Sequence, residues 1–474
     1  MDAILAGLLW LSRDCVDFDY LVEELRLLNP SFEQQRKLGL VPEGEQWIDC
    51  YHDRGDWIGV PPYLDKEIYS KFVIGSPDIV DRRTEGYPIT ISSSIILRPY
   101  QVGVPETLIN FGNGILKGPP GSGKTNVMLY TLCKIRKSFI ILTHTKQIAS
   151  QWINRIKDFT DCKDVVLVGS GSRDWNGEKV VVGLVQTLYK GDMPKEFYEH
   201  FGVVVADEIN HYSAPTFVRC LSLFPARHKI GLSATPYRSD GLTNIFKWLV
   251  GPIVAEMNSP QMIPSVIMRE YYEEELDKAL LGGGKIWIKD EVSWSAKDHM
   301  PRAINILVAN QGRNELIFDY VKQFIGEGRK ILVLSARVAH CELLGQMSDQ
   351  LGHDYSIITG KKADVKEREK GYSAQVIYAT QGLMREAIDI DTLDTLLFTC
   401  PFGGKDAVEQ GVGRLMRAKE GKKELIVVDI VDKGLGTMIG LYKRRLKYYN
   451  SLGFNVTLSL VRKPKKEGQD GKQK

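Results

Sequence analysis

The chain has 474 residues, 43% of them hydrophobic and 26% charged, and a formal net charge of +3. That balance excludes a disordered or fibrous chain, and the length leaves room for about two to four domains that each bury a core. The cysteines Cys15, Cys50, Cys133, Cys162, Cys220, Cys341 and Cys400 form no C-x-x-C pair, and the histidines show no zinc spacing. Reduced thiols in a reducing, cytoplasmic compartment are expected.

The apolar run at residues 3–11 follows Asp2 with no basic residue before it and is too short to span a bilayer. It reads as a core strand or helix, and no other segment is long enough to cross a membrane. Residues 19–28 read as a helix with Leu21, Val22, Leu25 and Leu28 on one face, stopped by Asn29-Pro30. Strand-like pieces at 47–51 and 57–60 come next, then Pro61-Pro62. Residues 1–90 therefore read as a small α+β module with no catalytic pattern, either a structural cap or an accessory domain.

From about residue 91 strands and helices alternate, the signature of a parallel sheet covered on both faces. A short buried strand at 114–117 runs into Gly118-Pro119-Pro120-Gly121-Ser122-Gly123-Lys124-Thr125, and a helix comes after it. This stretch fits G-x-x-x-x-G-K-[ST]. Its glycines let backbone N–H groups turn inward around phosphate oxygens, with Lys124 reaching the β- and γ-phosphates and the Thr125 hydroxyl ligating Mg²⁺. A nucleoside triphosphate, ATP or GTP, is the implied ligand.

Further strands are expected at 139–142, 165–168, 180–184, 203–206 and 230–232, and a helix at 146–159 places Ile148, Trp152, Ile156 and Phe159 on one stripe. Polar residues fall just after these strands, where open α/β sheets bind ligands. Asp207-Glu208 follows the apolar run 203–206. Asp207 is assigned to the metal and Glu208 to the base that orients or deprotonates water. Ser233-Ala234-Thr235-Pro236 follows the next strand, where small hydroxyl residues can bond to the acidic pair and sense the γ-phosphate.

Near 255 the alternation breaks. Residues 256–300, with Glu273-Glu274-Glu275 and Gly282-Gly283-Gly284, read as a linker or insertion containing a strand-like piece at 285–288. A second alternating block has strands at 330–334, 356–358, 375–378, 395–398 and 424–429 and helices at 338–351 and 406–417, without a phosphate loop of its own. In Gln410-Gly411-Val412-Gly413-Arg414-Leu415-Met416-Arg417, Arg414 and Arg417 share one helical face, and a guanidinium brought to the γ-phosphate stabilises transition-state charge. After Asp432 a helix carries Lys443, Arg444, Arg445 and Lys447 among Tyr442, Tyr448 and Tyr449. Its residues either engage a polyanion or leave a solvated face with the tyrosines packed inward. Residues 456–474 read as a basic, partly disordered tail.

As a set these motifs, over roughly residues 95–430, resemble the superfamily 2 helicases. Leu97-Arg98-Pro99-Tyr100-Gln101 resembles the element whose glutamine reads adenine, which implies ATP over GTP. The 118–125 loop resembles motif I, Thr143-His144-Thr145-Lys146-Gln147 leading to Gln151-Trp152 motif Ia, Gln186-Thr187-Leu188 motif Ic and Asp207-Glu208 motif II. Gly231-Leu232-Ser233-Ala234-Thr235-Pro236-Tyr237-Arg238-Ser239-Asp240-Gly241 resembles the long motif III of DNA-directed members, including repair and transcription helicases and phage branch-migration helicases. Val333-Leu334-Ser335-Ala336-Arg337 is like motif IV, and Thr359-Gly360 through Glu367-Arg368 like the turn after it. Ala379-Thr380-Gln381-Gly382 through Glu386-Ala387-Ile388-Asp389-Ile390 is like motif V, and residues 410–417 like motif VI.

The resemblance implies an α/β fold of two tandem RecA-like parallel-sheet lobes, 91–255 and 301–455, behind the small α+β N-terminal domain. It implies ATP with Mg²⁺, held by Arg98, Gln101, the 118–125 loop and Asp389, with Gln410, Arg414 and Arg417 completing catalysis. It also implies nucleic-acid contacts at Thr143, Lys146, Gln186, Thr187, Ser335, Arg337, Thr359 and Thr380, and coupling through Ser233, Ala234, Thr235 and Asn210. DNA, single-stranded or forked and branched, is the expected partner of a monomeric helicase most like phage-encoded members, with residues 1–90 and 256–300 choosing the substrate. The alternatives are a duplex translocase that frees no strand, an RNA helicase, and an ATP-gated clamp that scarcely turns over. Two positions depart from the family. Asp207-Glu208-Ile209-Asn210 stands where DEAH or DEAD is usual, with Asn210 or His211 left to reach motif III, and Ala387 stands where glycine is common.

Overall fold

In the computed structural model the apolar run at 3–11 folds back on itself, with β1 (Ala3–Leu5) antiparallel to β2 (Leu9–Ser12). The structure describes residues 2–37, 39–119, 121–212, 214–234, 236, 242–258, 262–272, 286–288, 291–293, 296–359, 371–381, 392–402, 408, 412, 422–432 and 436–459. The first helix, Phe18–Leu25, is capped by Asp17 and buries Leu21 and Leu25. It stops three residues earlier than its apolar face suggests because Arg26–Leu28 leaves as β3 to pair with β4 (Trp47–Asp49), where Arg26 grips Asp49 at 2.7 and 3.2 Å. Pro30 then opens the helix Pro30–Lys37, at a position where its missing N–H costs nothing. With β5 (His52–Asp53), β6 (Trp57–Val60) and β7 (Ile79–Asp81), the N-terminal sheet runs β5-β6-β2-β1-β7.

This module does not stand apart from the sheet after it. One apolar core joins Leu8, Leu11 and Ile58 to Phe217 and Leu221 of a helix on the next sheet and to Phe224 just after that helix. Gly7, in the β1–β2 turn, lies so close to Ser222 that an added Cβ would sit 2.1 Å from its carbonyl oxygen. Lys229 Nζ donates to Gly7 O at 2.7 Å and Leu221 O at 3.0 Å, and Arg227 pairs with Asp81 at 2.7 Å. The first unit accordingly spans Met1–Ser259, the N-terminal module included.

The second sheet contains β8 (Asn113–Lys117), β9 (Phe139–Thr143), β10 (Val165–Val168), β11 (Val180–Leu184), β12 (Val203–Asp207), β13 (His228–Ser233) and β14 (Ile253–Glu256). Its order is β10-β11-β9-β12-β13-β8-β14, every pair parallel. Strands β9, β11 and β12 are buried at every residue, as near-continuous apolar runs between helix layers must be.

The second unit, Pro260–Lys474, repeats the plan. It has β15 (Ser265–Tyr271), a hairpin of β16 (Ile286–Ile288) and β17 (Glu291–Ser293), then β18 (Ile331–Ser335), β19 (Tyr355–Ile358), β20 (Val376–Thr380), β21 (Thr395–Phe398), β22 (Ile426–Asp432) and β23 (Asn455–Ser459). The sheet order β19-β20-β18-β21-β22-β15-β23 is the same permutation as in the first lobe, with β15 standing where β8 stands. Two sequence readings are corrected here. Residues 265–271, assigned to the linker, pair with both β22 and β23, and residues 455–459, where the tail was expected to begin, form the edge strand. The predicted 406–417 helix lies almost wholly outside the described residues. Among the described residues no helix is long and apolar enough to cross a membrane.

Candidate nucleotide site and the strand ends around it

Parallel pairing puts the C-terminal ends of β8, β9, β11, β12 and β13 along one edge of the first sheet, and with them Gly118, Thr143, Leu184, Asp207 and Ser233. After β8 the chain turns through Gly121 (φ +80°) and Gly123 (φ +84°) into the helix Lys124–Ile135. Those left-handed φ values favour glycine. Crowding adds to the requirement at Gly123, where an added Cβ would lie 2.5 Å from Gln101 Nε2. Among the described residues Ser122 Oγ is buried with no hydrogen-bond partner at the mouth of this helix, where backbone N–H groups and the helix dipole favour an anion. Lys124, 8% exposed, donates from Nζ to Gly118 O at 2.7 Å and stands 3.9 Å from Glu208 Oε1. The donor set fits a polyphosphate.

Asp207 ends β12, buried. Trp152 Nε1 donates to its Oδ2 at 2.7 Å. Burial, and next the neighbouring Glu208 carboxylate, push the Asp207 carboxyl well above the usual carboxylate range. A cation beside it would restore the charged form. Glu208 turns out of the strand at φ 49°, a left-handed conformation that costs a non-glycine residue about 1–2 kcal/mol. Such strain concentrates at functional turns. Thr125, one residue into the helix, is half-buried. Thr125 and Asp207 are the residues that could hold a divalent metal.

The departure at Asn210 keeps a link to the next strand, because Ser233 Oγ donates to Asn210 Oδ1 at 3.1 Å. Ala234 comes next, half-buried. Gln101 is buried with both ends of its amide engaged. Its Oε1 accepts from Arg98 N at 2.9 Å and its Nε2 donates to Ser122 O at 2.7 Å, while Tyr100 Oη donates to the same carbonyl at 3.2 Å. The glutamine expected at adenine thus braces the phosphate loop, while Arg98 is exposed.

The expected nucleic-acid contacts divide. Lys146 is exposed at the start of the helix Lys146–Phe159, and Gln186 and Thr187 sit beyond β11, with Gln186 Nε2 donating to His144 O at 2.8 Å. The hydroxyls of Thr143 and Ser335 are not surface groups. Thr143 is buried and donates to Thr145 O at 3.4 Å. Ser335 is buried too, with its Oγ 2.8 Å from His340 Nδ1, whose Nε2 lies 2.9 Å from Asn314 Oδ1. At both strand ends the last residue still belongs to the core. Arg337 is taken up within its own lobe by Asn305 Oδ1 at 2.7 Å and Pro301 O at 3.0 Å. Thr359 and Thr380 are half-buried. Pro120, Thr235, Asp389, Gln410, Arg414 and Arg417 lie outside the described residues.

In the basic C-terminal helix, Gly436–Ser451, the two alternatives split by face. Arg445 and Tyr449 turn inward onto Asp429, Arg445 bidentately at 2.7 and 3.0 Å and Tyr449 Oη at 3.2 Å. Lys443, Arg444 and Lys447 face outward. What sequence reasoning missed is the bond from Trp152 to Asp207. Trp152 read as part of an apolar stripe and of the motif Ia resemblance, yet a buried indole N–H needs an acceptor, and that requirement was the available signal.

A family model described as "Type III restriction enzyme, res subunit" matches residues 94–238. The chain is 28% identical over 416 residues to a putative ATP-dependent RNA helicase of Acanthamoeba polyphaga mimivirus, covering 86% of this chain and 77% of that protein. It is 25% identical over 383 residues to a DNA 3'-5' translocase of Sulfurisphaera tokodaii, covering 73% and 83%. The crystal structure of T4 UvsW aligns over 97% of this chain and 99% of that one, at 17% identity and a TM-score of 0.38. Over most of its length the chain is thus similar to viral and archaeal helicases and translocases, and these relatives indicate an ATP-hydrolysing helicase that acts on nucleic acid.

Proposed function

We propose that the protein is a Mg²⁺- and ATP-dependent DNA translocase that separates strands, with forked or branched DNA as its substrate in replication, recombination or repair. The observation that carries this reading is the grouping on one sheet edge of Lys124, Asp207 and Glu208 with the ends of β9 and β11. Thr125 and Asp207 hold the metal, Glu208 orients the attacking water, and Lys124 exchanges its bond to Gly118 O for phosphate oxygens. Arg414 and Arg417, assigned on sequence grounds, neutralise the charge that develops at the γ-phosphate. Lys146 and the backbone N–H groups at these strand ends grip phosphates without reading sequence. DNA is favoured over RNA by the long motif III at residues 231–241.

Each base-pair step opened costs about 1.4 kcal/mol, so movement must be joined to an element that excludes one strand. Residues 1–90, which share a core with the first lobe, are placed to move with it. The second reading is a duplex translocase that frees no strand; the Sulfurisphaera relative's name, a DNA 3'-5' translocase, supports movement on DNA. ATPase and strand-separation assays on single-stranded, blunt, forked and four-way DNA, with an RNA duplex alongside, separate these readings. ATPase raised most by forked or four-way DNA, with strand release, supports the proposal. Stimulation by blunt duplex without release selects the translocase, stimulation by RNA alone selects the RNA helicase, and turnover indifferent to every nucleic acid refutes the reading.

A further inference from the structure

The helix Lys146–Phe159 is fastened twice to the nucleotide site. Trp152 Nε1 donates to Asp207 Oδ2 at 2.7 Å, and one turn later Arg155 Nη1 donates to Asn126 Oδ1 at 2.8 Å. Asn126 immediately follows Thr125, so the two bonds reach the two elements that carry the candidate metal ligands. Residues at i and i+3 lie side by side on a helix, so one face of this helix carries both fastenings. Its other end points elsewhere. Lys146 begins the helix, capped by Thr145, whose side chain accepts from Ile148 N at 3.3 Å. Six residues separate Lys146 from Trp152, about 9 Å along the axis at 1.5 Å per residue.

We propose that Trp152 and Arg155 are positioning residues that make phosphate-backbone binding at the N-terminal end of the helix Lys146–Phe159 cooperative with Mg·ATP binding at Asp207 and Thr125. The proposal rests on the proposed DNA-dependent ATPase function. Trp152 is 1% exposed and belongs to the apolar core that also holds Leu129, Phe139 and Val205, so its ring has no room to swing and keep the bond if the helix shifts. A carboxylate as buried as Asp207 is sensitive to the loss of a donor, because no water replaces it. Any displacement of the helix by nucleic acid therefore moves or releases the Asp207 carboxylate. Conversely, a metal that fixes Asp207 fixes the helix. Arg155 acts in the same sense on the turn that carries Thr125. Neither residue needs to touch nucleotide or nucleic acid to have this effect.

Trp152→Phe removes the N–H and keeps the ring, and Asn126→Ala removes the second acceptor without altering the helix. For wild type and both variants, forked-DNA affinity is read by anisotropy with and without a non-hydrolysable ATP analogue and Mg²⁺. Affinity for a fluorescent form of that analogue is read with and without DNA, in Mg²⁺ and in EDTA. Linkage requires the same factor in both directions, typically about 5- to 150-fold. The expected result is a factor of that size in wild type, within about twofold of unity in Trp152→Phe and reduced in Asn126→Ala, with nucleotide affinity in EDTA unchanged. A merely structural role would lower every affinity together. Full wild-type coupling in Trp152→Phe, or in Asn126→Ala should Trp152→Phe fail to fold, overturns the proposal. Wild-type protein showing no coupling in either direction overturns the functional reading beneath it, and this inference with it.

Discussion

Lys229 offers a test of how the N-terminal module is held. Its side chain is 2% exposed, and Nζ donates to two neutral carbonyls, Gly7 O at 2.7 Å and Leu221 O at 3.0 Å. Burial, reinforced by Arg83 and opposed by Cys220, lowers its pKa to about 7. In the unfolded chain the amine titrates near 10.4. Between those values the unfolded state binds a proton that the folded state lacks, so stability rises with pH across this window. Below pH 7 the full cost of keeping the site applies, on the order of 4 kcal/mol, and it fades as pH rises toward 10.4. Lys229→Met removes that titration. Relative to the variant, wild type should gain about 2 kcal/mol of unfolding free energy between pH 7 and pH 9. Urea unfolding of both proteins, followed by tryptophan fluorescence at half-unit steps of pH, measures the difference and cancels every other titrating group. Two stability curves that stay parallel across the window would refute the reasoning. Lys229 would then be a charged group with compensation that its carbonyl partners do not provide.

Lys124→Ala should abolish ATP hydrolysis while DNA still binds, and normal turnover would remove the 118–125 loop from the site. Arg417→Ala should bind nucleotide nearly as wild type but hydrolyse it at least about a hundredfold more slowly; a loss under about tenfold would take it out of the charge-neutralising role. In the second lobe Arg445→Met strands the fully buried Asp429 without its partner. The expected loss is about 3–5 kcal/mol in thermal or denaturant unfolding, partly recovered when Asp429→Asn is added. A loss below about 1 kcal/mol would mean that water reaches the pair.

Elements set by local forces were legible in the sequence. Strands β10, β11 and β21 match the expected residues because each is an apolar run with abrupt polar ends, and a parallel sheet covered on both faces demands such runs. The helix Lys146–Phe159 also matches, since Thr145 caps it and its stripe is regular. β15 was hidden because only alternate residues are buried, and because Arg269 and Glu270 within it and the acidic run after it resemble a linker. Whether a hydroxyl at a strand's end faces in or out is decided by neighbours distant in sequence. Thr143 and Ser335 looked like phosphate ligands, yet His340 and the chain at Thr145 receive them. Arg445 was left open for a similar reason, since nothing beside it in sequence distinguishes it from Arg444, and Asp429 on β22 selects one of the two.

The shared strand order sets the phosphate loop of the first lobe against the matching segment of the second. Strand β15 occupies in the second sheet the place of β8 in the first, so the residues after it correspond in topology to the phosphate loop. The segment after β8 is glycine-rich and ends in Lys124 and Thr125. The segment after β15 is Tyr272-Glu273-Glu274-Glu275-Leu276-Asp277. Three consecutive carboxylates repel phosphate where Gly121, Gly123 and Lys124 attract it. The sequence after the first strand therefore carries a phosphate-binding pattern in the first lobe and an acidic run in the second. Any part the second lobe plays in hydrolysis has to come from cations elsewhere on it. Arg445 is held by Asp429 and Arg313 is paired with Asp432 at 2.8 Å. Arg414 and Arg417 are the cations whose sequence context argues for the role, so Arg417→Ala is expected to separate binding from hydrolysis, whereas a variant of the buried pairs is expected to destabilise the lobe.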